Sequence, residues 1–199
     1  MSMKKYVLAI TGATGSAIGL RVLKELARES DVHLVISAQS FSIMYDETGT
    51  DLKADTADGV RDKIRKFSGS ERVYYHDERD FEAPIASGSF STDGMFVVPC
   101  SMKTLSGIAN GYANSLVERA ADVTIKEGRL LLLSPREMPF SVIHLENMLK
   151  LARLGVKIAP PVAGFYHKPA GIDEMVDFLA GKILDAMGIA HNIYRRWGH

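Results

Sequence analysis

The segment LLLLSPREMPFSVIHLENMLK, residues 130–150, decides the fold. Its four leucines, Leu130 to Leu133, do not alternate with polar residues, so the run reads as a strand apolar on both faces, as in a parallel sheet covered by helices. The cover follows at once. Val142, Leu145, Met148, Leu149 and Ala152 fall at helical spacing, with Ser141 placed to cap the helix and Gly155 to end it. Between them, Ser134, Pro135, Arg136, Glu137, Met138 and Pro139 predict a turn stiffened by two prolines. Ligands of open parallel sheets bind outside the carboxyl ends of the strands, and this turn lies at such an end. Its Arg-Glu pair is either a surface ion pair or part of a site.

The alternation extends both ways along the chain. Strands are predicted at 6–10, 32–36, 72–75, 95–98 and 156–159, and helices at 18–27, 40–47, 60–67, once or twice between 101 and 127, and at 172–187. That order predicts one α/β domain built on a doubly wound parallel sheet over residues 1–190. The tail, 191–199, shows no pattern that would pack it. A chain of 199 residues, 46% hydrophobic and 24% charged, suits a single core. Its 24 basic residues balance 24 acidic ones, so neither nucleic acid nor an anionic membrane is an expected partner. Cys100 is the only cysteine, which excludes an internal disulfide. No run approaches the roughly eighteen apolar residues of a membrane span, and the expected location is the cytoplasm. The six histidines lack ligand spacing, so no metal site is expected.

Three loops carry candidate chemistry. The turn from Thr11 to Gly19, with Gly12, Ala13 and Thr14, follows a strand and opens a helix, the context in which backbone N–H groups hold phosphate, or a plain tight turn. The second strand ends in Ser37, where a dinucleotide site would carry an acidic residue for the ribose; a mononucleotide such as FMN fits better than NAD. Ser101, Met102, Lys103 and Thr104 follow another buried strand and form either a helix cap or a second phosphate cradle. Arg119 and Lys126, seven apart, can share a helix face, which also carries Glu118 and Asp122 and could be a solvated ion-pair face.

The segments TGATG (11–15), ASGS (86–89), PCS (99–101), ERAADV (118–123), PREMPF (135–140), HLENM (144–148), GFYH (164–167) and RWG (196–198) together resemble the UbiX-type flavin prenyltransferases over nearly the whole chain. The resemblance implies a flavodoxin-like or Rossmann-like three-layer sandwich, assembly as a homododecamer with sites between subunits, and transfer of a dimethylallyl group from dimethylallyl monophosphate to N5 and C6 of reduced FMN. The prenylated FMN would then serve a UbiD-type decarboxylase. It places FMN on Gly12, Ala13, Thr14, Ser37, Ser101, Met102, Lys103, Thr104, Arg119 and Arg136. The prenyl phosphate goes to Ser87, Lys126, Arg136, Tyr166 and Lys182, some reaching across a subunit interface. Glu137 and Glu47 would handle protons, Lys126 would act on the leaving phosphate, and Trp197 would offer a π face to the prenyl group. Thr14 and Lys182 stand where the family often has Ser and Arg; hydroxyl and cation are kept, but lysine cannot make a bidentate phosphate contact.

The implied chemistry suits these residue types. Cleaving an allylic C–O bond puts negative charge on the departing phosphate, which cations and a phenol stabilise, while aromatic faces stabilise the allylic cation. No D-D-x-x-D magnesium motif occurs, so metal-independent transfer is expected. The competing readings are an FMN-dependent decarboxylase of the cysteine-decarboxylating type and a flavin-binding protein without turnover.

Overall fold

The computed structural model describes residues 3–196. In chain order the elements are β1 (Lys4–Ile10), α1 (Ser16–Glu29), β2 (Ser30–Ile36), α2 (Ala38–Thr48), α3 (Ala57–Ser68), β3 (Val73–His76), β4 (Gly94–Cys100), α4 (Met102–Ala109), α5 (Leu116–Lys126), β5 (Leu131–Pro135), α6 (Val142–Arg153), β6 (Lys157–Ile158) and α7 (Ile172–Ala186). The six strands are parallel, in the order β3-β2-β1-β4-β5-β6. From β1 the chain winds outward to β2 and β3, then returns to β4 and winds the other way, so the crevice between the ends of β1 and β4 is the topological switch point. The expected doubly wound three-layer sandwich is what forms.

Side-chain alternation within the buried strands builds the two cores. Leu8, Ile10, Leu34, Ile36, Phe96 and Leu132 join α1, α3 and α7 on one face. Val7, Ala9, Val35, Val97, Leu131 and Leu133 join α4, α5 and α6 on the other. The leucine run is indeed apolar on both faces, but the strand is shifted: Leu130 is exposed, and Ser134 and Pro135, expected in the turn, complete β5. Ser141 caps α6, accepting from His144 N at 3.2 Å. The inward face expected of that helix is only partly buried. Met148 and Leu151 pack, whereas Val142, Leu145 and Leu149 lie exposed. Strand β6 has two residues.

A second correction concerns the tail. Residues 191–196 pack against α7, because Gly181 leaves room for the rings of His191 and Tyr194 directly over the helix backbone. Glycine spacing alone did not reveal that dock. Trp197 lies outside the described residues.

A histidine pair ties the sheet to the 77–93 segment. His33 Nδ1 lies 2.9 Å from His76 Nε2, and the His33 ring stacks on Tyr74 and meets the edge of Phe90. Burial, then the charges of His76 and Lys5, push His33 down to about 4, and burial also lowers His76. An unfolded imidazole takes its proton near 6.5, so between that pH and about 4 the unfolded chain binds more protons. The stability contributed by the neutral pair is complete above pH 6.5 and is lost as pH falls, by on the order of 3 kcal/mol for His33. Urea midpoints at pH 7 and pH 4.5 are expected to differ more for the parent than for His33→Gln. An equal drop in both would place the acid sensitivity elsewhere.

Candidate active site

The carboxyl ends of β1, β4 and β5 are laced together. Thr11 donates from N and Oγ1 to Pro99 O at 3.2 and 3.1 Å, and Ser101 N donates to Thr11 Oγ1 at 2.8 Å. Arg136 N reaches Cys100 O at 3.2 Å, and Ser37 N reaches Ile10 O at 3.0 Å. These bonds set Gly12, Ser37, Ser101 and Arg136 along one edge of the sheet, with Thr104 in the first turn of α4. A Cβ at Gly12 would sit 3.1 Å from Gln39 Oε1, the end of a flexible side chain that can give way. Ser101 caps α4, accepting from Thr104 N at 3.3 Å, and its hydroxyl donates to Thr104 Oγ1 at 3.0 Å. Lys103 points outward and is exposed; Met102 is half-buried against the α4–α6 core.

Two features of this crevice were not legible in the sequence. The first is Glu47, whose carboxylate accepts from Gly15 N at 3.0 and 3.1 Å and from Ser16 N at 2.9 Å. The amides expected to hold phosphate at the start of α1 thus already carry a negative group, and Thr14 beside them is exposed. The proton-handling role expected of Glu47 competes with this capping role. The second feature is a set of orphans: Arg136 Nε, Ser134 Oγ and Ser16 Oγ are buried with no hydrogen-bond partner. Buried donors without partners are costly and rare. An unpartnered guanidinium nitrogen on the residue that follows β5, tied by its backbone to the end of β4, suits an anionic ligand such as the phosphate of FMN. Arg136 also forms no ion pair with Glu137, so the surface-pair alternative does not hold; the Glu137 carboxylate instead accepts from Met138 N at 3.0 Å.

The other predicted residues stand apart from this crevice. Arg119 Nε donates to Ala86 O at 3.0 Å and its NH1 to Asp122, while Lys126 pairs with Glu127 beside Gly88. Arg129 donates to the carbonyls of Gly88 and Phe90. Ser87, Arg119 and Lys126 so form one cluster around the 86–90 segment, and Lys126, at the end of α5, sits toward the amino ends of the strands. Arg119 does not approach the flavin-type loops of its own chain. Glu118, expected on a solvated face, is buried and caps α5 through Asn114 N and Ser115 N.

Tyr166 and Lys182 form a third group on the opposite layer. The Tyr166 ring meets Phe178 of α7 at 5.6 Å, and Lys182 lines a groove of ≈ 260 Å³ with Pro160, Val162 and Phe178. His167, given no role from the sequence, stacks on Phe178 at 4.5 Å with both ring nitrogens buried and without partners. Among the described residues no helix is long and apolar enough to cross a membrane.

The flavoprotein family profile matches residues 1–184. Flavin prenyltransferase UbiX of Halalkalibacterium halodurans is 44% identical over 194 residues, covering 97% of this chain and 93% of that protein. The crystal structure of AnUbiX (PadA1) in complex with FMN and dimethylallyl pyrophosphate superposes with a TM-score of 0.89 at 39% identity, over 100% of this chain and 99% of that one. A dodecameric FMN-dependent UbiX-like decarboxylase from Escherichia coli O157:H7 gives 0.87 at 43% identity, covering 98% and 100%. With that identity running along nearly its full length, the chain belongs to the flavoprotein family and, within it, to the UbiX flavin prenyltransferases.

Proposed function

We propose that this protein is a flavin prenyltransferase that binds reduced FMN as co-substrate and joins to it the dimethylallyl group of dimethylallyl monophosphate, for use by a UbiD-type decarboxylase. The observation that carries the reading is Arg136, a residue with a buried guanidinium nitrogen without a partner, whose backbone N is bonded to Cys100 O at the end of β4, together with membership of the family. Gly12, Ala13, Thr14, Ser37 and residues 101–104 hold the flavin nucleotide. Ser37 in place of an acidic residue disfavours a dinucleotide, and Glu47 on the α1 amides leaves no free helix end there for a pyrophosphate.

Ser87 with Lys126, and Tyr166 with Lys182, supply donors and cations to the departing phosphate, where developing negative charge is greatest. Their contacts on the same chain are around the 86–90 segment and on α7 and not with Arg136, and in this reading the complete site is built between copies. A face for that assembly exists: Met138, Val142, Ile143, Leu145 and Leu149 form a run of exposed apolar side chains, with Met138 89% exposed. Patches of that kind mark association surfaces. A homododecamer, the state described for the Escherichia coli relative, supplies the missing neighbours.

Anaerobic incubation with reduced FMN and dimethylallyl monophosphate, followed by mass measurement of the released flavin, tests the reading. The expected flavin is heavier by one five-carbon unit. A flavin of unchanged mass, with or without decarboxylation of an added substrate, would favour one of the two competing readings.

A further inference from the structure

After α7 the chain turns at Gly188, with φ 72°, and its last described residues dock on the helix they have just left. One carboxylate collects them. Asp185 accepts from His191 Nε2 at 3.1 Å, from the Tyr194 hydroxyl at 2.5 Å, and from both Arg196 nitrogens at 3.1 and 2.8 Å. Partial burial works against its charge, but the hydrogen bonds from Arg196 and Tyr194 and the attraction of His191 and Arg196 hold it down at about 2. The docked tail has a second attachment. Tyr194 meets Phe178 edge-on at 5.4 Å, and the same Phe178 ring carries Tyr166 and His167. Lys182 lies one turn before Asp185 on α7.

Only an ionised carboxylate satisfies this set. Asparagine offers a single accepting oxygen, and its amide hydrogens would face the hydrogens of Arg196, Tyr194 or His191. With the tail released, Phe178 loses the Tyr194 ring and the loop holding Tyr166 loses one wall of its packing.

We propose that Asp185 is a positioning residue of the donor-phosphate half-site: by gathering His191, Tyr194 and Arg196 onto α7, it fixes the Phe178-centred aromatic wall that holds Tyr166 against the helix carrying Lys182. This rests on the prenyltransferase reading above. Asp185 itself touches neither flavin nor donor; its effect is on where other groups stand.

The test uses the full-length protein loaded with oxidised FMN, so that dimethylallyl monophosphate binds without turnover, and follows binding by calorimetry. For Asp185→Asn, FMN affinity is expected within about twofold of the parent, while donor affinity falls at least roughly tenfold and kcat at saturating donor stays within about threefold. Tyr194→Phe removes one of the donors and should weaken donor binding by about threefold with FMN affinity unchanged; it carries the test if the asparagine variant does not fold. Unchanged donor affinity in the folded variants, with a parent that binds the donor, overturns the proposal and leaves the function intact. So does a parallel loss of FMN and donor affinity, which marks a merely structural role. A parent that binds no dimethylallyl monophosphate overturns the prenyltransferase reading, and this inference with it.

Discussion

Replacing Glu137 with glutamine is expected to leave FMN binding intact and to slow prenyl transfer by roughly a hundredfold or more, the usual scale for loss of a positioned acid-base group. The residue stands just past β5 at the carboxyl edge of the sheet, beside Arg136 and across from the α4 turn, and it is not neutralised by an ion pair. When a new carbon–nitrogen bond forms at N5 of reduced FMN, the proton on that nitrogen needs an acceptor. A half-buried carboxylate held by one backbone amide can serve; glutamine keeps the shape and the hydrogen-bonding reach but takes no proton. Anaerobic single-turnover absorbance of the flavin measures the step. A variant that turns over at the parent rate would reduce Glu137 to a cap on the Met138 amide.

The second large effect is on stability. Gly19→Ala would normally gain helix propensity, about 1 kcal/mol at a solvent-facing position. Here a Cβ would fall under 3.0 Å from the carbonyl oxygen of Val98 and 3.2 Å from Ile10 Cγ1, because α1 lies directly on β1 and β4 at the switch point. That neighbour is backbone in an interior strand, so relief requires the helix to lift off the core. Overpacking of this kind costs about 3 kcal/mol, enough to lower the urea midpoint clearly without changing the slope of the transition. A variant as stable as the parent would show that α1 can shift outward, and the third glycine of the turn would then be dispensable.

The close approach at Gly19 also illustrates what the sequence could and could not yield. The apolar runs of β1, β2 and β5, the helical spacing between them and the Ser141 cap are local patterns, so strand and helix identity, and the α/β alternation of a doubly wound sheet, follow from them. Strand polarity then puts every loop after a strand at one edge of the sheet, which is why Gly12, Ser37, Ser101 and Arg136 were predictable neighbours. Likeness to a family added the flavin and the prenyl donor.

Other features depend on contacts between residues remote in sequence, and periodicity does not encode those. The Glu47 carboxylate caps a helix that begins 31 residues earlier, converting an expected phosphate cradle into a filled one. The apolar stripe of α6 faces outward because the helix packs on the core through Met148 and Leu151 instead. The residues assigned to the donor phosphate fall into separate clusters on opposite layers, a division that no spacing announces. The tail has no hydrophobic pattern because aromatic packing over Gly181 and one carboxylate, Asp185, hold it in place. Local sequence sets which elements form and which loops share an edge; the tertiary structure decides which of their polar groups are already satisfied and which, like Arg136, remain open for a ligand.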